Sequence, residues 1–407
     1  MMSSPPSLRI ALIADVFPPL RSSGAVQLRD LTLELVRQGH RPTVMVPSPM
    51  LAQAWQLEDM QGVQVLRLRG PQTKDVGYVR RTLGEFFLPF IMLRHLRASP
   101  LVAQQWDGVI WYSPTIFLAP MAKALKRASA VRAYLIIRDL FPQWAVDMGL
   151  MSRFGLPHAF FKAVERYQYS VADVIGVQTP ANLPYFSSRS RKLSTCRIEV
   201  LQNWLALAPD VPCSINVQDS LLKGRKIFVY AGNMGIAQGI DVLIDLAQSL
   251  VSRQDVGFLF VGRGSHANHL RQECVRMNLA NTCFYDEIDP SEIPALYAQC
   301  HVGLLSLDLR HKTHNVPGKF LTYMQGGLPV LARVNPGNDL IELITSEEVG
   351  RVSADASVAS LKAMAESLLD ELGSHTEVRA RCLALSERLF SAKVAVEQVV
   401  HGLRTPA

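Results

Sequence analysis

No stretch of the chain approaches the ~20 consecutive apolar residues that a membrane-spanning helix needs. The opening MMSSPPSLRIALIADVF lacks the basic-then-apolar order and small-residue cleavage site of a secretory signal. The chain is therefore expected to stay in the cytoplasm. Cysteine is sparse: Cys196, Cys213, Cys274, Cys283, Cys300 and Cys382 are scattered with no Cys-x-x-Cys pair and no histidine at ligand spacing. Neither a disulfide framework nor a zinc site is indicated, and the thiols are expected to be reduced. Charged residues make up only 19% of the chain against 48% apolar, which excludes a disordered or fibrous protein. No zinc-finger, homeodomain or RNA-recognition signature occurs, so nucleic acid is not an expected partner.

What is present is length and a lopsided charge. A chain of 407 residues is long enough for two cores of ordinary size. Residues 1–200 hold 24 Lys and Arg against 13 Asp and Glu, whereas the remainder hold 18 against 22. The basic half is expected to face something negative, and an anionic membrane or a phosphorylated lipid fits without a nucleic-acid motif.

Short β-branched runs alternate with longer amphipathic stretches, the pattern of βα units around a mainly parallel sheet. Strands are expected at 8–14, 42–47, 63–68, 108–113, 133–139, 173–179 and 198–203. After a proline-containing connector at 205–222, a second series runs at 226–233, 256–262, 282–287, 302–307, 329–334 and 350–354, and 357–403 reads as helices. The fold class is α/β, with two doubly wound domains: residues 1–205, residues 206–385, and a last helical piece, 386–407, expected to pack back on the first domain.

Ligands of such sheets bind beyond the carboxyl ends of the strands, and the motifs fall there. D-V-F-P-P-L-R-S-S-G at 15–24 leads into a helix that Gly24 opens to an anion; the same residues also spell an ordinary turn. Y-A-G-N-M-G-I-A-Q-G at 230–239 carries Gly232, Gly235 and Gly239 around Asn233 and Gln238, a loop able to lie against a pyrophosphate. It is not G-x-G-x-x-G. V-G-R-G at 261–264 repeats the strand, glycine, helix order with Arg263 and Gly264. In V-P-G-K-F at 316–320, Pro317 suits a helix start, with Gly318 and Lys319 beside it.

The joint order of these fragments, with N-W at 203–204, F-Y-D-E at 284–287, V-P-G-K-F and G-G-L-P-V at 326–330, resembles the family 4 retaining glycosyltransferases of GT-B fold over nearly the whole chain. The resemblance extends to bacterial O-antigen amino-sugar transferases similar to fucosamine transferase, where R-D-L-F-P-Q at 138–143 has a counterpart. It implies two Rossmann-like domains facing across a cleft and a nucleotide-sugar donor, UDP-linked by preference, on the C-terminal domain. It further implies a polyprenyl-diphosphate-linked or other lipid-linked glycan acceptor on the N-terminal domain, and no metal or other cofactor. Donor contacts are then expected from Gly232, Asn233, Gly235, Gln238, Gly239, Gly264, Asp286, His314, Asn315, Gly318 and Thr322, and acceptor contacts from Gly24, Arg138 and Asn203. Where many members carry an Arg/Lys pair this chain has Asn233 and Gln238, and two family glutamates are replaced by His314 and Thr322.

With those pairs absent, Lys319 is expected to neutralise the departing diphosphate and Arg263 to assist. Asp139 is the acidic candidate for catalysis, an arginine-paired structural role being the alternative. The segment 78–97 sets eight apolar residues, 86–93, including Phe86 and Phe87, between Arg80/Arg81 and Arg94/Arg97. It reads as an interfacial helix on the inner face of the plasma membrane, or as an internal helix with basic ends. A nucleotide-sugar epimerase and a non-catalytic glycolipid-binding relative remain the alternatives to a transferase.

Overall fold

The computed structural model describes residues 6–20, 22–187, 196–208, 210–235, 238–309, 316–355, 357–372 and 375–405. Two compact units divide the chain: residues up to Ala206 joined by the segment from Ala392 onward, and Leu207–Ser391.

The first unit is built on an eight-stranded sheet of β1 (Arg9–Ile13), β2 (Arg41–Ser48), β3 (Trp55–Met60), β4 (Val63–Arg69), β5 (Gly108–Ser113), β6 (Ala133–Ile137), β7 (Val174–Val177) and β8 (Arg197–Val200), in the order β3-β4-β2-β1-β5-β6-β7-β8. All pairings are parallel except β3 with β4. β1, β5 and β6 are apolar over nearly their whole length because helices cover both faces. The sequence reading omitted β3, W-Q-L-E-D-M, whose polar alternation belongs to a half-exposed edge strand and carries no apolar run. The helix Ser23–Arg37 buries Ala25, Leu28, Leu31 and Leu35 at helical spacing. Against it lies the helix Ala392–Arg404, whose Val396, Val399, Val400 and Leu403 join the same core.

The second unit has a six-stranded, all-parallel sheet of β9 (Lys226–Ala231), β10 (Val256–Val261), β11 (Thr282–Tyr285), β12 (Val302–Ser306), β13 (Val330–Arg333) and β14 (Gly350–Ser353), in the order β11-β10-β9-β12-β13-β14. Strand order reverses between β1 and β5 in one unit and between β9 and β12 in the other, which fixes where a crevice opens in each. The helix Gly318–Gly326 is locked beside the second of these by Tyr323. Its fully buried ring lies where a Cβ on Gly303 would sit, 2.5 Å from Cγ, and its hydroxyl is 2.9 Å from the Leu304 carbonyl.

Candidate active site

In the second unit the turns after β9 and β10 lie side by side, backbone against backbone. Gly232 N donates to Val261 O, and Met234 N donates to Arg263 O, both at 2.8 Å, while His266 N donates to Met234 O at 3.0 Å. A Cβ at position 264, where φ is +158°, would come within 2.3 Å of the Met234 carbonyl oxygen, so only glycine permits this approach. The amide side chains of Asn233 and Gln238 bind each other. Gln238 Oε1 accepts from Gly235 N at 3.0 Å and from Asn233 Nδ2 at 3.3 Å. The Gly239 carbonyl accepts from Ser306 Oγ at 2.9 Å, which ties the loop to the end of β12.

Into this pair of turns comes Lys319, the second residue of the helix Gly318–Gly326. Its Nζ lies 4.7 Å from the Tyr230 ring centre and 2.9 Å from the place a Cβ on Gly232 would occupy. Among the described residues no carboxylate forms an ion pair with it. Loss of hydration lowers the ammonium pKa to about 8. An uncompensated cation against glycine amides at a helix start is a site that an anion would stabilise. Arg333, at the end of β13, adds a second cation missed from the sequence. Its Nη1 lies 3.8 Å from the Cβ position of Gly239, and its Nε is buried with no hydrogen-bond partner. A basic residue closing a strand inside the apolar run P-V-L-A-R-V gave no motif to read.

The side chains of other expected donor contacts already have partners nearby. Arg263 is 81% exposed, and its Nε pairs with Glu287 at 2.7 Å, so its charge is already answered at the surface. Asp286, in the same strand-end turn, pairs with Arg271 at 2.6 Å. The Thr322 hydroxyl donates back to Lys319 O at 2.9 Å within its own helix. Gly318 faces open space. His314 and Asn315 lie outside the described residues.

The first unit gathers a second group of polar residues at its own switch point. Asp15, just beyond β1, has a buried Oδ1 with no hydrogen-bond partner. Burial, reinforced by Glu85 and opposed by Lys74 and Arg81, raises its pKa to about 6. Glu85 accepts from Arg81 Nε at 2.7 Å and from Thr115 Oγ1 at 2.8 Å. A Cβ on Gly24 would be 3.2 Å from the Tyr112 hydroxyl, which donates to Gln27 Oε1 at 3.2 Å. Arg138 donates through Nη1 to Leu201 O at 3.1 Å and stacks 4.5 Å from the Trp204 ring, while its Nε and Nη2 are buried with no partner. Burial lowers its pKa and raises that of neighbouring Asp139. Asn203 is buried beside Trp204. Asp15, Glu85, Tyr112 and Thr115 were not assigned from sequence, since they come from distant segments and meet only in the fold.

The helix Tyr78–Arg97 buries Leu88, Met92 and Leu96 yet leaves Tyr78, Val79, Leu83, Phe87 and Phe90 more than half exposed. Phe86 packs 6.1 Å from Phe160, so the exposed apolar surface continues onto the helix Leu156–Val171, where Leu156 is 88% exposed. Arg80, Arg94 and Arg97 are exposed, whereas Arg81 is held by Glu85. No helix among the described residues is long and apolar enough to cross a membrane.

Two α/β units on mainly parallel sheets, each with polar groups at a switch point, define the GT-B fold. Residues 225–371, which include both glycine turns, Lys319 and Arg333, match the family described as Glycosyl transferases group 1. Two curated relatives are similar over most of their length. The glycosyltransferase WbjE of Pseudomonas aeruginosa is 24% identical over 293 residues, covering 69% of this chain and 70% of the relative. The colanic acid biosynthesis glycosyl transferase WcaI of Escherichia coli (strain K12) is 26% identical over 293 residues, covering 66% and 69%. Among solved structures, the UDP-forming α,α-trehalose-phosphate synthase of Burkholderia xenovorans has the same fold, with a TM-score of 0.70 at 13% identity over 98% of this chain and 99% of that one.

Proposed function

We propose that this glycosyltransferase moves a sugar from a nucleoside-diphosphate donor to a lipid-linked glycan, as a step in building a bacterial surface polysaccharide of the O-antigen or lipopolysaccharide kind. The observation that carries the donor half is the Lys319 ammonium, seated on Gly232 between two abutting glycine turns with no carboxylate beside it among the described residues. A diphosphate supplies the missing negative charge, and that charge grows as the sugar–phosphate bond breaks. Arg333 is the second cation, and Arg263 joins only by leaving Glu287. Cations and amides suffice for this work, so no metal is required of the reaction.

Retention at the anomeric carbon follows if the acceptor oxygen attacks from the face the diphosphate leaves, its proton passing to a phosphate oxygen. In the first unit, Asp15, Asp139 and Arg138 would bind the acceptor, with Asp15 Oδ1 accepting from a sugar hydroxyl. An N-acetylated amino sugar on UDP is the preferred donor by family resemblance, and the relative named for colanic acid biosynthesis favours a surface-polysaccharide acceptor.

Such an acceptor sits in a membrane. The exposed apolar side of the helix Tyr78–Arg97, extended by Leu156 and Phe160 and flanked by Arg80, Arg94 and Arg97, suits peripheral attachment to the anionic inner face of the plasma membrane. Incubation with labelled UDP-sugars, with and without a polyprenyl-diphosphate-linked sugar, tests the proposal. Label should enter the lipid fraction, with the anomeric configuration kept. An altered free nucleotide sugar would instead indicate an epimerase, and no turnover with any donor a binding-only relative.

A further inference from the structure

Beside the glycine turns, on the solvent side of the second unit, three side chains from two helices converge. Asp241 is the first residue of the helix Asp241–Ser249, and His266 caps the start of the helix Ala267–Arg276. His269 follows three positions later, the spacing that brings two side chains to one helix face. His266 Nε2 lies 2.9 Å from Asp241 Oδ1, and His269 Nε2 lies 3.8 Å from the same oxygen. The imidazole centres are 4.5 Å apart, and the three donor atoms all fall within 4.8 Å of one another. Donors held tetrahedrally at ~2.0–2.2 Å from one ion stand about 3.4 Å apart. Small side-chain rotations therefore bring all three to coordination distance.

We propose that Asp241, His266 and His269 form a binding site for a first-row transition cation of the zinc class. Two imidazole nitrogens and one carboxylate oxygen favour such an ion over Mg2+ or Ca2+, which prefer all-oxygen shells. A single carboxylate oxygen within good hydrogen-bond distance of only one of two neighbouring imidazoles satisfies them unequally, whereas a cation accepts both. With Asp241 56% and His269 51% exposed, the fourth position opens to water, which makes the ion exchangeable. The sequence reading expects no zinc site, because the aspartate stands on a different helix from the two histidines. An ion here joins the helix that follows Gly239 to the one whose His266 amide holds Met234, so it stiffens the donor turns; this consequence, unlike the binding itself, rests on the donor reading.

The test is calorimetric titration of the full chain with Zn2+ alone, repeated with Co2+ to read its visible ligand-field bands. The site predicts one ion per chain with bands of a four-coordinate nitrogen and oxygen shell. His269→Ala and Asp241→Asn should each weaken binding at least ~10-fold, with the metal-free thermal midpoint of His269→Ala unchanged because that side chain is half exposed. Zn2+ should also raise the midpoint of the wild type and not of the variants. No saturable binding by ~1 mM Zn2+, or equal binding by wild type and both variants, overturns the proposal. Should Zn2+ bind as described without altering UDP affinity, the stiffening of the donor turns is overturned and the metal site stands.

Discussion

Lys319 shows how one residue can oppose stability and serve function. Its ammonium pKa falls to about 8 from 10.5 on folding, so near neutral pH the folded state holds a proton less readily than the unfolded chain does. That penalty is fully present below pH 8 and fades as pH rises towards 10.5. Lys319→Met should therefore stabilise the ligand-free protein at pH 7, by up to about 3 kcal/mol in denaturant unfolding. Turnover should nevertheless drop by ~100-fold or more. Asp15 carries the same sign of cost at the opposite charge. With a folded pKa near 6 against 3.8, it gains a proton that the unfolded chain lacks as pH falls from 6 to 4, so its contribution to stability rises over that window. Asp15→Asn should remove that rise and stabilise the protein at pH 8 by at most about 3 kcal/mol. Unfolding curves at pH 5 and pH 8 check both the sign and the window.

At the scale of elements, the donor turns depend on backbone proximity that a single methyl would end. Gly264→Ala places a carbon 2.3 Å from the Met234 carbonyl oxygen, where the turn after β9 cannot retreat without losing Met234 N to Arg263 O. We expect destabilisation of several kcal/mol and loss of nucleotide binding together, read by thermal shift with UDP. Changing Phe87 and Phe90, each about half exposed, to serine should lower the unfolding midpoint only slightly while sedimentation with anionic vesicles falls ~10-fold or more. Unchanged sedimentation would remove this helix from the membrane. The positions of these elements were legible because apolar runs and glycine turns are local signals. β3 was not, since an edge strand needs little apolar surface.

For the molecule as a whole, two mainly parallel sheets with reversing strand order turn scattered residues into two sites. The sequence reading places Gly232 and Arg138 at strand ends and Lys319 at a helix start, because strand ends can be read from where apolar runs stop and a helix start from Pro317. It could not pair Arg263 with Glu287, Asp286 with Arg271, or Asn233 with Gln238, since those partnerships are decided by side-chain reach. Arg333 and Asp15 escaped for the related reason that a lone charge after a strand acquires meaning only from its unsatisfied atoms. The central claim is that a diphosphate completes the charge of Lys319 between the glycine turns. Calorimetric titration with UDP at pH 8, in buffers of different ionisation enthalpy, tests it most directly. Near the folded pKa about half of Lys319 is neutral, so binding should take up a substantial fraction of a proton, and Lys319→Met should lose both that uptake and most of the affinity. UDP binding of equal strength in the variant, with no proton taken up by the wild type, would contradict the account.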